Sequence, residues 1–172
     1  MLLHSPRLRL EPLEERHAEG LFTGLQEPEV HAFTDDQPPT DLAALRERYG
    51  VLALRRSPDG TQGWLNWALW CKSESAYVGY VQATVVPGSV NLGYVVFTQY
   101  WGRGYAREAL MAIMRFITET YPGTEFVARV DARNSRSIAL LRRLGFAPDD
   151  EQAVSENGVP GDVLFRRPTD RA

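Results

Sequence analysis

The run Gln99-Tyr100-Trp101-Gly102-Arg103-Gly104-Tyr105-Ala106 decides how this chain is read. It follows the strand-like stretch Val90 to Phe97 and precedes apolar residues at Ala106, Ala109, Leu110, Ile113 and Ile117, the spacing of an amphipathic helix. A loop between a strand and a helix start suits an anion, because first-turn N–H groups lack intrahelical partners and carry the positive end of the helix dipole. Gly102 and Gly104 remove side chains that would block a close approach, and Ala106 keeps the helix start tight against a sheet. The same glycines also suit a turn that needs positive φ, so the loop alone leaves two readings open. Two other phosphate motifs fit poorly. The Walker loop requires a Gly-Lys-Ser/Thr triplet that is absent here, and the dinucleotide fingerprint wants a small residue where Arg107 stands.

Upstream of the loop, Trp64 to Cys71, Tyr77 to Val86 and Val90 to Phe97 read as a three-stranded meander broken by Lys72-Ser73-Glu74-Ser75 and Pro87-Gly88. Before it, residues 7 to 13 alternate weakly as a strand, and Glu14 to Leu25 has helical spacing with Pro28 after its end. Thr40 or Asp41 then caps a helix to about Leu54, and 57 to 63 is a turn. Downstream, Tyr121-Pro122-Gly123 closes the loop helix, Phe126 to Val130 is a strand, and Asn134 or Ser135 caps a helix to Leu144. Asp162 to Arg167 is a last strand, expected to pair near Gln152 to Val154 around Asn157-Gly158. The fold class is α/β (α+β): a mixed, mostly antiparallel sheet with helices on both faces. The unit from 90 to 130 requires a crossover, which makes its two strands parallel and adjacent or nearly so.

The 172 residues are 44% hydrophobic, enough for one core, so a single domain over 1–172 is expected. The net charge of −3 is spread along the chain without blocks of one sign, which calls for neither a nucleic-acid nor a membrane partner. Cys71 is the only cysteine, so no internal disulfide forms, and no Cys/His cluster has metal-site spacing. Arg7 and Arg9 interrupt the start before a signal peptide could form, and no segment is long enough to span a membrane. A reducing cytoplasm is the expected compartment.

Gln99-x-x-Gly102-x-Gly104 resembles the pyrophosphate loop of the GNAT superfamily of N-acetyltransferases. Tyr94-Val95-Val96 and Trp101 to Leu110 follow the branch that acetylates ribosomal-protein N-termini and its small-molecule relatives. Asn134-x-x-Ser137, Leu144-Gly145-Phe146, Arg7-Leu8-Arg9-Leu10 and Glu27-Pro28-Glu29-Val30 are similar to further parts of that branch; residues 31 to 75 match badly. The resemblance implies a GNAT fold in which the parallel strand pair splays into a V-shaped slot. Acetyl-coenzyme A would lie there, its pantetheine arm on backbone groups of Val95, Val96 and Phe97 and its diphosphate on amides from Gly102 through Arg103, Gly104 and Tyr105 to Ala106. Asn134 belongs to the same coenzyme site. Arg103 either touches phosphate or is merely solvated.

Acetyl transfer needs a neutral amine, a polarised thioester carbonyl and a stabilised departing thiolate. The resemblance places a glutamate at the position of Asn91 and a tyrosine at that of Leu141, so both usual proton-handling side chains are missing. Ser137 is the substitute by resemblance, hydrogen-bonding the coenzyme sulfur, unless it only joins the helix cap. His31, Asp35, Asp36 and Asp131 remain candidate bases without a ranking. Trp64, Trp67, Trp70, Tyr77 and Tyr80 form either core or an acceptor wall, and the acceptor is expected around Phe33, Trp70 and Tyr80. That acceptor is an amine on a peptide or a small molecule, and exposed aromatics are compatible with a homodimer. A coenzyme-binding module without transfer is the alternative reading.

Overall fold

A computed structural model describes residues 1–34, 36–149 and 161–168. In chain order the elements are β1 (Leu3–His4), β2 (Leu8–Pro12), α1 (Ala18–Phe22), α2 (Pro28–His31), α3 (Leu42–Ala53), β3 (Gly63–Cys71), β4 (Ala76–Val86) and β5 (Ser89–Val96). Then come α4 (Tyr105–Thr120), β6 (Glu125–Asp131), α5 (Ser135–Arg143), β7 (Ala147–Pro148) and β8 (Asp162–Arg167). The strands form one sheet in the order β1-β2-β3-β4-β5-β6-β8-β7. Every neighbouring pair is antiparallel except β5 and β6, the two strands joined through α4. The meander and the adjacent parallel pair therefore stand as the sequence predicts.

Alternation along the strands sorts side chains to two faces. Trp67 lies opposite Val81, and Val81 opposite Tyr94; on this face Trp67 packs edge-on against Phe116 of α4 at 5.9 Å between centroids. Leu110, Ile113 and Ile117 of α4 are fully buried, which is the apolar stripe seen in the sequence. On the other face, Asn66, Tyr80 and Gln82 look towards Leu45 and Tyr49 of α3. Asp41 caps α3 by accepting the Ala44 N–H at 2.8 Å.

One expectation needs correction. Glu14 to Leu25 is not one helix: 3₁₀ turns at Glu15–His17 and Gly24–Gln26 flank a short α1. The stretch packs closely on its neighbours: a Cβ at Gly20 would sit 2.5 Å from the Tyr77 ring and one at Gly24 2.4 Å from the Phe97 ring. Pro28 follows the end of this helical stretch, as expected, and also opens α2, where a first-turn residue needs no N–H. β8 pairs with β6 and with β7, whereas the partner expected near 152 to 154 falls outside the described residues. No helix among the described residues is long and apolar enough to cross a membrane.

Candidate active site

β5 and β6 pair only from Ser89 to Asn91 against Glu125 to Val127, while β6 continues to pair with β8 up to Asp131. Beyond Asn91 the two strands therefore separate, and Leu92 to Val96 borders a cleft. The Phe97 N–H donates to the Val78 carbonyl at 3.0 Å. Antiparallel alternation then turns the Val95 backbone groups to Tyr80 on β4, and those of Tyr94 and Val96 to the cleft. The Val96 carbonyl accepts the Trp101 indole N–H at 2.6 Å. Of the three residues expected to hold the pantetheine arm, Val96 alone points an N–H into the cleft; Val95 and Phe97 are turned to β4, and the backbone groups of Tyr94 face the cleft.

At the mouth of this cleft stands the glycine loop. Gly102 and Gly104 have φ of 75° and 80°, and Gly104 is the N-cap of α4 with no side chain capping the helix. The first ladder bond runs from the Glu108 N–H to the Gly104 carbonyl at 3.1 Å, which leaves the amides of Tyr105, Ala106 and Arg107 without helical partners. A Cβ on Gly102 would meet nothing, so the glycine there answers to positive φ and to a ligand's approach rather than to crowding by the protein. Arg103 forms an ion pair with Glu74 at 3.0 Å and lies over the Tyr100 ring. Arg7, a loop neighbour the sequence did not single out, donates to the Arg103 carbonyl at 2.9 Å and pairs with Glu108 at 2.7 Å. Buried Tyr105 meets the Cys71 thiol at 3.3 Å.

α5 begins on the far side of the cleft, directly after β6. Asn134 Oδ1 accepts the Ser137 N–H at 3.0 Å, so the asparagine caps the helix and the Ser137 hydroxyl is left for other work. Arg136 stacks over the Trp101 ring at 4.1 Å and links this helix start to the glycine loop. The Tyr94 hydroxyl is buried and, among the described residues, meets no hydrogen-bond partner in good geometry. Burial raises its pKa, and the neighbouring Ser137 side chain offsets this in part. Tyr94 entered the sequence reading only as part of the Tyr94-Val95-Val96 resemblance, with no role of its own, and Arg136 carried no signal. Leu141, where the resemblance expects a tyrosine, is fully buried in the core.

Tyr80 lines a recess beneath α3 with about 410 Å³ of atom-free space, including the part open to solvent, together with Tyr49, Asn66, Gln82, Asp36 and Arg48. Burial pushes the Tyr80 phenol up to about 12 and raises that of Tyr49, whose hydroxyl also lacks a partner. The other two expected acceptor residues lie elsewhere. Phe33 is exposed beneath Arg133, and Trp70 packs against Tyr77 and Arg9, because a register shift between Leu69 and Trp70 sets it apart from Tyr80. Among the candidate bases, Asp131 is held down at about 2 by hydrogen bonds from Arg133. Asp36 pairs with Arg48 at 3.3 Å, and Asp35 is outside the described residues. His31 lines the recess; its Nε2–H donates to the Leu25 carbonyl at 2.8 Å, which leaves Nδ1 as an acceptor.

Comparison with known proteins agrees with this geometry. Residues 7–147 match the acetyltransferase (GNAT) domain. The uncharacterised N-acetyltransferase p20 of Bacillus licheniformis is 24% identical over 148 residues, 84% of this chain and 81% of that protein. FsC-acetyl coenzyme A-N(2)-transacetylase of Aspergillus fumigatus is 26% identical over 154 residues; the match takes in 83% of this chain and 63% of that enzyme. Among solved structures, the RimL ribosomal L7/L12 alpha-N-protein acetyltransferase in complex with coenzyme A superposes with a TM-score of 0.82 over 100% of both chains, at 20% identity. The acetyl transferase of Salmonella typhimurium that modifies the N-terminal serine of L7/L12 reaches 0.80 over 99% of this chain and 100% of that one, at 21% identity. At such identities the two structures speak for the fold, while the domain match speaks for the family. The chain belongs to the GNAT family of acetyl-coenzyme A dependent N-acetyltransferases.

Proposed function

We propose that this protein binds acetyl-coenzyme A in the cleft between β5 and β6 and transfers the acetyl group to an amine presented from the recess beneath α3. One observation carries the reading: the strand pair parts beside a helix whose capping residue, Gly104, has no side chain and a φ of 80°. An anionic diphosphate is suited to the open amides of Tyr105, Ala106 and Arg107, with Arg7 and Arg103 close by. The arm would lie along the edge of β5, using the Val96 N–H and the backbone of Tyr94.

The acceptor is a peptide or small-molecule amine. In its ammonium form, with a reference pKa of ~10.4 for a lysine-like amine and about 8 for a peptide N-terminus, such a group cannot attack, so a proton must leave first. Locked by Arg133, Asp131 is unsuited to that task. His31 Nδ1 has no partner among the described residues and borders the recess, which makes it the base we assign. Asp36 and Arg48 neutralise each other beside that recess, so it favours an acceptor with an uncharged, hydrogen-bonding body behind its amine.

The test is coenzyme A release, followed with a thiol reagent, across peptide N-termini, polyamines and amino acids, alongside calorimetric binding of acetyl-coenzyme A. Gly104→Val should bind at least ten-fold more weakly while keeping its far-ultraviolet circular dichroism. A folded variant that binds as the wild type does removes the site from the loop.

A further inference from the structure

We propose that the Tyr94 hydroxyl is the hydrogen-bond donor to the coenzyme sulfur when the thiolate departs. This inference rests on the acetyl-transfer reading of the cleft. Tyr94 lies on the stretch of β5 that has parted from β6, with its own backbone groups turned to the cleft. Its hydroxyl is buried and, among the described residues, has no partner in good hydrogen-bond geometry, with the Ser137 side chain its polar neighbour. Native structures seldom leave a buried hydroxyl without a partner, and an unpaired one beside a ligand cleft is readily explained by a partner that arrives with the ligand. The other buried hydroxyl in this condition, that of Tyr49, borders the recess beneath α3 instead. Ser137, in the first turn of α5, flanks the Tyr94 phenol, and Leu141 is sealed in the core and cannot reach the cleft.

Chemically the group fits the task. Burial keeps the phenol protonated through the neutral range, so it is a standing donor. As the amine nitrogen bonds to the acyl carbon, the C–S bond breaks and its electron pair passes to sulfur. The phenol stabilises that charge through its O–H and keeps its proton, while the proton lost by the amine leaves through its base to water. Ser137 is then a polar neighbour of the phenol in the first turn of α5.

The experiment needs no acceptor. The thiol of bound coenzyme A is titrated by its thiolate absorbance in the wild type, in Tyr94→Phe and in Ser137→Ala. Wild-type protein should hold the thiol at a lower pKa than free coenzyme A. Tyr94→Phe should raise it by about one unit, a ten-fold change in the ionisation constant. Coenzyme affinity should stay within about three-fold, and Ser137→Ala should keep most of the lowering. Since the deleted hydroxyl has no partner, the melting temperature of free Tyr94→Phe should equal or exceed that of the wild type. Coenzyme binding with an unchanged thiol titration in Tyr94→Phe, or a lowered melting temperature, overturns the assignment to Tyr94 alone. If wild-type protein fails to bind coenzyme A, the cleft reading falls and takes this inference with it.

Discussion

Glu11 is 5% exposed, yet it accepts hydrogen bonds from Arg9 at 2.6 Å and from Tyr77 and the fully buried His17 at 3.1 Å each. Burial alone pushes its carboxyl up, but the hydrogen bonds from His17, Arg9 and Tyr77 outweigh this, and the folded value lies below the ordinary one. A carboxyl lowered on folding contributes stability in full above its unfolded pKa of ~4.3 and loses it as the pH falls through the folded value. Glu11→Ala should therefore cost about 3 kcal/mol at neutral pH, read from urea midpoints, and the gap from the wild type should narrow on acidification. Two of the four candidate bases call for opposite results. His31→Gln should lower kcat by about ten-fold or more with acetyl-coenzyme A binding retained, whereas Asp131→Asn should leave kcat near wild type, because Arg133 already locks that carboxylate. An unaltered kcat in His31→Gln would return the role to ordered water. None of these pairings was legible in the sequence: His31 and Asp131 could be marked only as titratable types, and their partners come from other elements or from a loop turn.

Elements meet at tolerances the sequence does not state. Gly79 of β4 has a φ of 149°, and a Cβ there would lie 2.0 Å from the Val95 carbonyl oxygen, so only glycine lets β4 run this close to β5 where the cleft begins. Gly79→Ala should lower the melting temperature and weaken coenzyme A binding together, since the displaced strand is the one that borders the cleft. A variant with wild-type affinity and lowered stability would detach the bulge from the site. Asn134→Ala should cost about 1 kcal/mol through the lost cap and also free the Ser137 amide. The capping reading of Asn134 was available from the sequence, because a cap is a local contact within four residues. The orientation of Val95 was not. One backbone step decides whether a residue faces β4 or the cleft, and only the observed pairing sets that step.

Across the whole molecule, coenzyme binding and folding stability are linked, because the cleft exists only while β5 and β6 are held apart within one sheet. A ligand at 100 times its dissociation constant stabilises by about 2.7 kcal/mol, which for a chain of this size corresponds to a rise of roughly 5–10 °C in melting temperature. A thermal shift with coenzyme A but not with ATP is the expected outcome, and equal shifts with both would point to unselective phosphate binding. The sequence by itself determined most helix and strand periods, the Pro87-Gly88 hairpin and the glycine loop, and narrowed the caps to Thr40 or Asp41 and to Asn134 or Ser135, all of them local signals over a few residues. Tertiary structure alone decided which backbone groups line the cleft, that Arg103 pairs with Glu74, that Phe33 and Trp70 stand away from Tyr80, and that Tyr94 keeps an unpaired hydroxyl. Each of these depends on residues far apart in the chain brought together by sheet register, and register is settled by the packing of the folded molecule as a whole.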